Sequence, residues 1–184
     1  MKKVFFLFLV LCTAAVYAQP VYVCNNGEVT FYSKTPLEDI DAVSNSLNSI
    51  YNTSSNEIVF VVQMTSFKFK KAMMQDHFNE KYVESDKYPK SSYKGKINET
   101  VDVTKDGTYD VTTTGTLTIH GVDKPRTEKG KLTVKGGVIS LQSEFKVALK
   151  DFNIEIPKLV MQNIAEVVDV NFSATYAPYK KESK

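Results

Sequence analysis

Two stretches of the chain, residues 108–120 and 138–150, change character at almost every step, a period of two that only extended backbone sorts onto separate faces. In the first, Val111, Thr113, Gly115, Leu117 and Ile119 share one side, against Thr112, Thr114, Thr116, Thr118 and His120. In the second, Ile139, Leu141, Ser143, Phe145, Val147 and Leu149 oppose Ser140, Gln142, Glu144, Lys146 and Lys150. One face is dry and the other wet, as in an antiparallel sheet with a single buried side. A chain made of such segments has to bring its dry faces to a common interior.

Further strands are expected over residues 28–34, 43–50, 92–104, 129–134 and 168–176. The strongest runs over 57–69, where β-branched and aromatic residues crowd together. Twelve or so residues at ~3.3 Å each would reach roughly 40 Å, well beyond an ordinary strand. Lys105-Asp106-Gly107, residues 121–127 and Gly136-Gly137 separate the later strands, and Asp-Gly and Gly-Gly are hairpin signals. Residues 36–42 and 85–89 read as turns, and Pro178 ends the last strand.

The period changes only at residues 71–83. There Met74, Phe78 and Tyr82 fall four apart, which places them on one helical face. That stripe reads either as core packing or as a lid over a cavity opening, a role Met suits because it adapts to variable apolar surfaces. A second short helix is expected over 158–165, after Pro157.

At the front, Met1-Lys2-Lys3 precedes an apolar run from Val4 to Val16 and then Val16-Tyr17-Ala18. This is the pattern of a secretory signal peptide cleaved after Ala18, and the run is shorter than the ~20 residues of a membrane span. The expected mature chain, residues 19–184, is a single domain in the periplasm or outside the cell, without a transmembrane segment. It carries 21 Lys and Arg against 21 Asp and Glu. Formal neutrality argues against nucleic acid, whose phosphates demand an excess of cations. Cys12 leaves with the leader, so Cys24 has no internal disulfide partner and is read as an apolar residue.

About eight hairpin-linked strands with one inward face each favour a closed antiparallel barrel, an all-β fold, over a sandwich. The segments FYS at 31–33, PLEDIDA at 36–42, FNEKYVESDKYP at 78–89, GTLTIHGV at 115–122 and DFNIEIP at 151–157 stand behind the leader in that order. Together they resemble the YceI-like family, and their wording is nearest to members from Bacteroidetes. The resemblance spans nearly the whole mature chain. It implies an eight-stranded, extended lipocalin-like barrel with one or two short helices. In some members the barrel holds a polyisoprenoid or another long-chain amphiphile in an apolar tunnel.

On that reading Phe60, Val62, Met64, Leu117, Ile119, Leu141, Phe145, Val170 and Phe172 are expected to line the tunnel, with Met74 and Phe78 near its mouth. The alternative is that these residues simply fill the core, leaving a stress-response or interaction protein without a ligand; an eight-stranded barrel is near the size at which either outcome is possible. The expected partner is a long-chain lipid or isoprenoid, a homodimer is allowed, and no cofactor is expected. An enzyme is not expected either. The two histidines, His77 and His120, lie on different elements, and Asp76, His77 and Glu80 make a thin basis for a metal. Asn52, Asn98 and Asn171 begin Asn-x-Ser/Thr triplets, expected by chance in so Asn-, Ser- and Thr-rich a chain. His120 is expected at a strand end, facing outward.

Overall fold

The computed structural model describes residues 21–158 and 162–179. The expected leader and residues 159–161 of the expected second helix lie outside them, and 162–164 form turns rather than helix. In chain order come β1 (Val21–Lys34), β2 (Asp39–Asn52), β3 (Glu57–Gln63), β4 (Lys68–Phe69) and α1 (Ala72–His77). There follow β5 (Lys90–Ile97), β6 (Gly107–Ile119), β7 (Val122–Lys135), β8 (Val138–Ala148) and β9 (Val167–Pro178). Every pairing is antiparallel. The order β1-β9-β8-β7-β6-β5-β3-β2 returns to β1, which pairs with β2 as well as β9, so eight strands close into a barrel. The two-residue β4 is an extra piece on β2, against Ala42 and Val43. No helix among the described residues is long and apolar enough to cross a membrane.

The interior is filled unevenly. At the end where β1, β3 and β8 begin, Ile58, Leu132, Ile139 and Ala174 are completely buried, with Cys24 and Tyr51 beside them. Ser49 Oγ and Tyr176 Oη meet there at 2.7 Å, and burial pushes the Tyr176 phenol far above its ordinary pKa. This half is a solid plug. The opposite half carries inward residues that are only partly buried, among them Phe31, Phe145, Val170 and Phe172.

Several strands differ from the sequence expectation. The run expected over 57–69 is broken: Met64–Ser66 forms a 3-10 turn between β3 and β4. Ser66 Oγ donates to the Gln63 carbonyl at 2.6 Å and meets Ser44 Oγ at 2.7 Å, so a side chain takes over a backbone partner and bends the strand. The strand expected over 92–104 stops at Ile97. Beyond it, Asp102 accepts from the backbone N and the hydroxyl of Thr104, a local turn that extended backbone cannot make; these bonds and Lys105 hold its carboxyl at about 2. The helix expected over 71–83 is α-helical only through His77 and continues as a π-helical turn over Phe78–Tyr82. β1 and β2 are both longer than the sequence suggests, and β1 absorbs register shifts between Cys24 and Val29.

The largest difference is at 121–127. The turn is only His120-Gly121, both with positive φ, and β7 starts at Val122, paired with Ile119. Two positive-φ residues give a primed hairpin turn whose twist matches the strands. Pro125 sits within the strand opposite Thr116. Residues flanking a two-residue turn form a hydrogen-bonded pair, so alternation leaves Pro125 at a position that gives nothing to β6. Its nitrogen faces β8, whose ladder with β7 begins only at Gly130. The barrel therefore carries a seam between 122–129 of β7 and 144–148 of β8.

At Gly115 a Cβ would stand 2.3 Å from the Lys94 carbonyl and 2.5 Å from Gly95 Cα; at Gly136, φ is +57° and the space is open. Gly115→Ala is expected to cost about 3 kcal/mol through overpacking, and Gly136→Ala about 1 kcal/mol through backbone strain alone. Urea denaturation of the two variants checks the difference, and equal losses would contradict it.

Candidate functional site

The unfilled half of the barrel encloses a cavity of about 440 Å³, within the range of small-molecule sites. Strand β3 contributes Phe60 and Val62 with Met64 just beyond it; β6 contributes Leu117 and Ile119; β8 contributes Phe145 and Val147; β9 contributes Val168, Val170 and Phe172. Each set is spaced by two, so alternation places every member on the inner face. Phe60 and Phe172 meet across the barrel with ring centroids 4.7 Å apart. Below that contact lie Ile58 and Ala174 of the packed half, which makes the two rings the floor.

At the other end, Phe78 fixes the helical segment to the barrel. Its ring stacks on Phe31 at 5.5 Å and meets Phe67 at 5.7 Å and Phe69 at 5.0 Å. This four-ring cluster, with Met74 and Tyr82, lines the upper wall. Burial raises the Tyr82 phenol above its ordinary pKa. Polar groups gather at the rim, where Lys71 Nζ donates to Glu38 Oε1 at 2.8 Å and Ala165 N donates to Ser33 Oγ at 2.8 Å. These bonds tie the helix and the segment before β9 to the barrel edge.

Ten of the eleven residues singled out in the sequence lie around this cavity. Leu141 does not: it pairs in register with Leu132 and Ala174 within the packed half. Alternation reports which face a residue occupies, not its height along the barrel. Sequence reasoning passed over Phe31, Phe67 and Phe69, although each has an apolar or small neighbour two positions away. It also passed over two charges inside the barrel, Arg126 and Glu128, because the strand is expected to begin only at residue 129. Their signal was the period of two itself, which puts Lys124, Arg126 and Glu128 on the face shared with Leu132 and Val134.

Arg126 Nε donates to Glu128 Oε1 at 2.6 Å, and Arg126 Nη2 lies 2.5 Å from the same oxygen. Nη2 also donates to the Lys146 carbonyl at 2.8 Å. The guanidinium thus bridges the seam and occupies a carbonyl that has no β7 partner. Nearby, Tyr93 also lines the cavity, and burial is the main cause of its raised phenol pKa; Thr113 opposes the shift and Glu128 adds to it. Thr113 stands close enough to favour the phenolate slightly, but without the geometry of a hydrogen bond. The Tyr93 hydroxyl is left buried and without a hydrogen-bond partner among the described residues.

His120 differs from the outward strand-end group expected of it. Its side chain is only 10% exposed, with Nδ1 3.1 Å from the Phe152 carbonyl and Nε2 2.7 Å from Glu84 Oε2, and Tyr88 meets its ring edge-on. It fastens the hairpin tip to two loops and is remote from the cavity floor. Among the described residues no three His, Cys, Asp or Glu side chains converge as a metal site.

The Arg126–Glu128 pair sets up a direct test. Arg126→Met leaves the Glu128 carboxylate uncompensated in an apolar wall and is expected to cost about 2 kcal/mol, most of it recovered in Arg126→Met/Glu128→Met. Urea denaturation of the double-mutant cycle measures this, and additive losses would contradict the coupling.

Comparison with known proteins places this geometry. The barrel matches a polyisoprenoid binding domain from Saccharophagus degradans, implicated in plant cell wall breakdown, with a TM-score of 0.71 and 16% identity over 86% of this chain and 98% of that one. It matches BcnA of Burkholderia cenocepacia with a TM-score of 0.68 and 15% identity, over 81% and 95% of the two chains. A YCEI protein of Campylobacter jejuni aligns over 98% of this chain and 94% of its own, with a TM-score of 0.53 and 18% identity. No curated protein matches. At these identities the structural likeness speaks for the fold. The model of the YceI-like domain matches residues 25–176, nearly all of the barrel, and the chain belongs to the YceI-like family.

Proposed function

We propose that this protein is an exported carrier, periplasmic or secreted, that holds one long-chain amphiphile in the barrel cavity. The observation that carries the reading is the unequal filling: one half of the barrel is a solid plug, and the other keeps about 440 Å³ behind apolar walls. A purely structural barrel has no reason to leave that volume empty, since close packing is the ordinary condition of an interior. The N-terminal pattern of residues 1–18 supports export. The Saccharophagus degradans domain is described as binding polyisoprenoid, and that ligand class, or a fatty-acid-like chain, is carried over here as part of the proposal.

The chemistry of such a site is that of transfer from water. Each buried CH₂ contributes about 0.8 kcal/mol, roughly fourfold in affinity. Affinity then follows chain length, and no acid–base or nucleophilic machinery is required. The protein acts as a binder and not as a catalyst. The π-helical turn carrying Phe78 covers the upper wall, and movement of that segment would admit the chain.

Native mass spectrometry of protein purified from a bacterial host is expected to show an added mass that extraction identifies as a long-chain lipid. Phe145→Trp, which fills part of the cavity, is expected to lower that occupancy severalfold. Apoprotein alone, together with lipid binding unaffected by Phe145→Trp, would overturn the carrier.

A further inference from the structure

Besides Ser33, Glu38, His77, Ser91, Ser92 and Asn163, polar side chains line the otherwise apolar cavity at one place. Thr113 of β6 pairs in register with Glu128, and Gly115 pairs with Arg126 on one side and with Gly95 on the other. Thr113, Arg126 and Glu128 line the cavity. The paired glycines leave a stretch of wall without side chains, and the Tyr93 hydroxyl lies over it, 2.8 Å from where a Gly95 Cβ would be. One step further along β6, Val111 already belongs to the packed half. The polar group therefore sits at the cavity floor, not at its mouth.

These groups are not equally satisfied. Arg126 and Glu128 neutralise each other, and the Arg126 bonds to Glu128 and Lys146 use Nε and Nη2 and leave Nη1 uncommitted. Glu128 receives those bonds at Oε1, so Oε2 is open as an acceptor. The Tyr93 hydroxyl is buried without a partner among the described residues. A buried polar group left unpaired is costly, and in native structures it often marks a place that something else completes.

We propose that this cluster is a head-group site: the amphiphile enters polar end first, and its head is held at the floor by Tyr93 Oη beside the Arg126–Glu128 pair. The inference rests on the carrier reading and adds the class of head. A neutral group bearing an oxygen, an alcohol or an amide, meets both a donor and an acceptor here. An ionised carboxylate does not suit the site, because the charge of Arg126 is already matched and the newcomer would face Glu128 in a water-poor space. A bare hydrocarbon leaves the Tyr93 hydroxyl unpaired. The tail then runs upward past Leu117, Ile119 and Val147 towards the helical segment and the aromatic cluster around Phe78.

The test uses delipidated full-length mature protein and three probes of equal chain length, dodecanol, dodecanoate and dodecane, each competing against anilinonaphthalene sulfonate. Dodecanol is expected to bind about tenfold more tightly than either of the others, the worth of one good hydrogen bond. Tyr93→Phe removes an unpaired buried hydroxyl, so the variant is expected to fold at least as well as the parent. In it the advantage of dodecanol over dodecane is expected to fall to about twofold or less. Dodecanoate binding as tightly as dodecanol, or a preference for dodecanol that survives Tyr93→Phe, would overturn the head-group site while leaving the carrier intact. Failure of all three probes to bind would remove the carrier and this site together.

Discussion

Closure of the sheet is the constraint on which the rest depends. β1 pairs with β2 on one side and β9 on the other, so the first and last strands of the described chain share one ladder. An antiparallel sheet with one apolar face has to bury that face, and closing the sheet on itself does so without a second layer or an exposed edge. Closure also fixes an interior whose width is set by eight strands. The only freedom left to the sequence is how far each inward side chain fills it.

That freedom is used asymmetrically. Large residues at the plugged end, Tyr51, Leu132, Ile139 and Tyr176 among them, meet across the axis, and a hydrogen bond pairs the Ser49 and Tyr176 hydroxyls within it. In the other half the inward positions of β5 and β6 include Gly95, Thr113 and Gly115, and the walls stand apart. The helical segment is held by ring contacts between Phe78 and Phe31, Phe67 and Phe69, without support from a long helix of its own. Such a segment rests on a few apolar contacts, which is the character expected of an element that moves. The seam between β7 and β8 is the other soft place, bridged by Arg126 where backbone pairing stops.

Much of this was legible in the sequence because period-two alternation is a local signal with one geometrical meaning. It placed Thr113, Leu117, Phe145 and Phe172 on the inner face. What it could not carry was decided by contacts distant in sequence. The break at Met64–Ser66 depends on Ser44, which lies on another strand. Pro125 reads as a breaker until the hairpin phase shows that its nitrogen points into a seam. The late strand start expected at 129 also hid Arg126 and Glu128, since a residue placed outside a strand has no inner face. Leu141 shows the complementary limit, correct in face but at the wrong height. His120 is held by Glu84 and Phe152, partners that no local pattern could supply.

On the carrier proposal, binding moves an apolar chain from water into the upper half of the barrel. Burial of apolar surface has a heat-capacity signature that polar contacts do not imitate. Calorimetric titration of delipidated protein with a series of primary alcohols of increasing length, repeated at several temperatures, reads it directly. The heat-capacity change of binding is expected to be negative and to grow with each added CH₂ until the cavity is full. A change near zero, or one independent of chain length, would contradict the account.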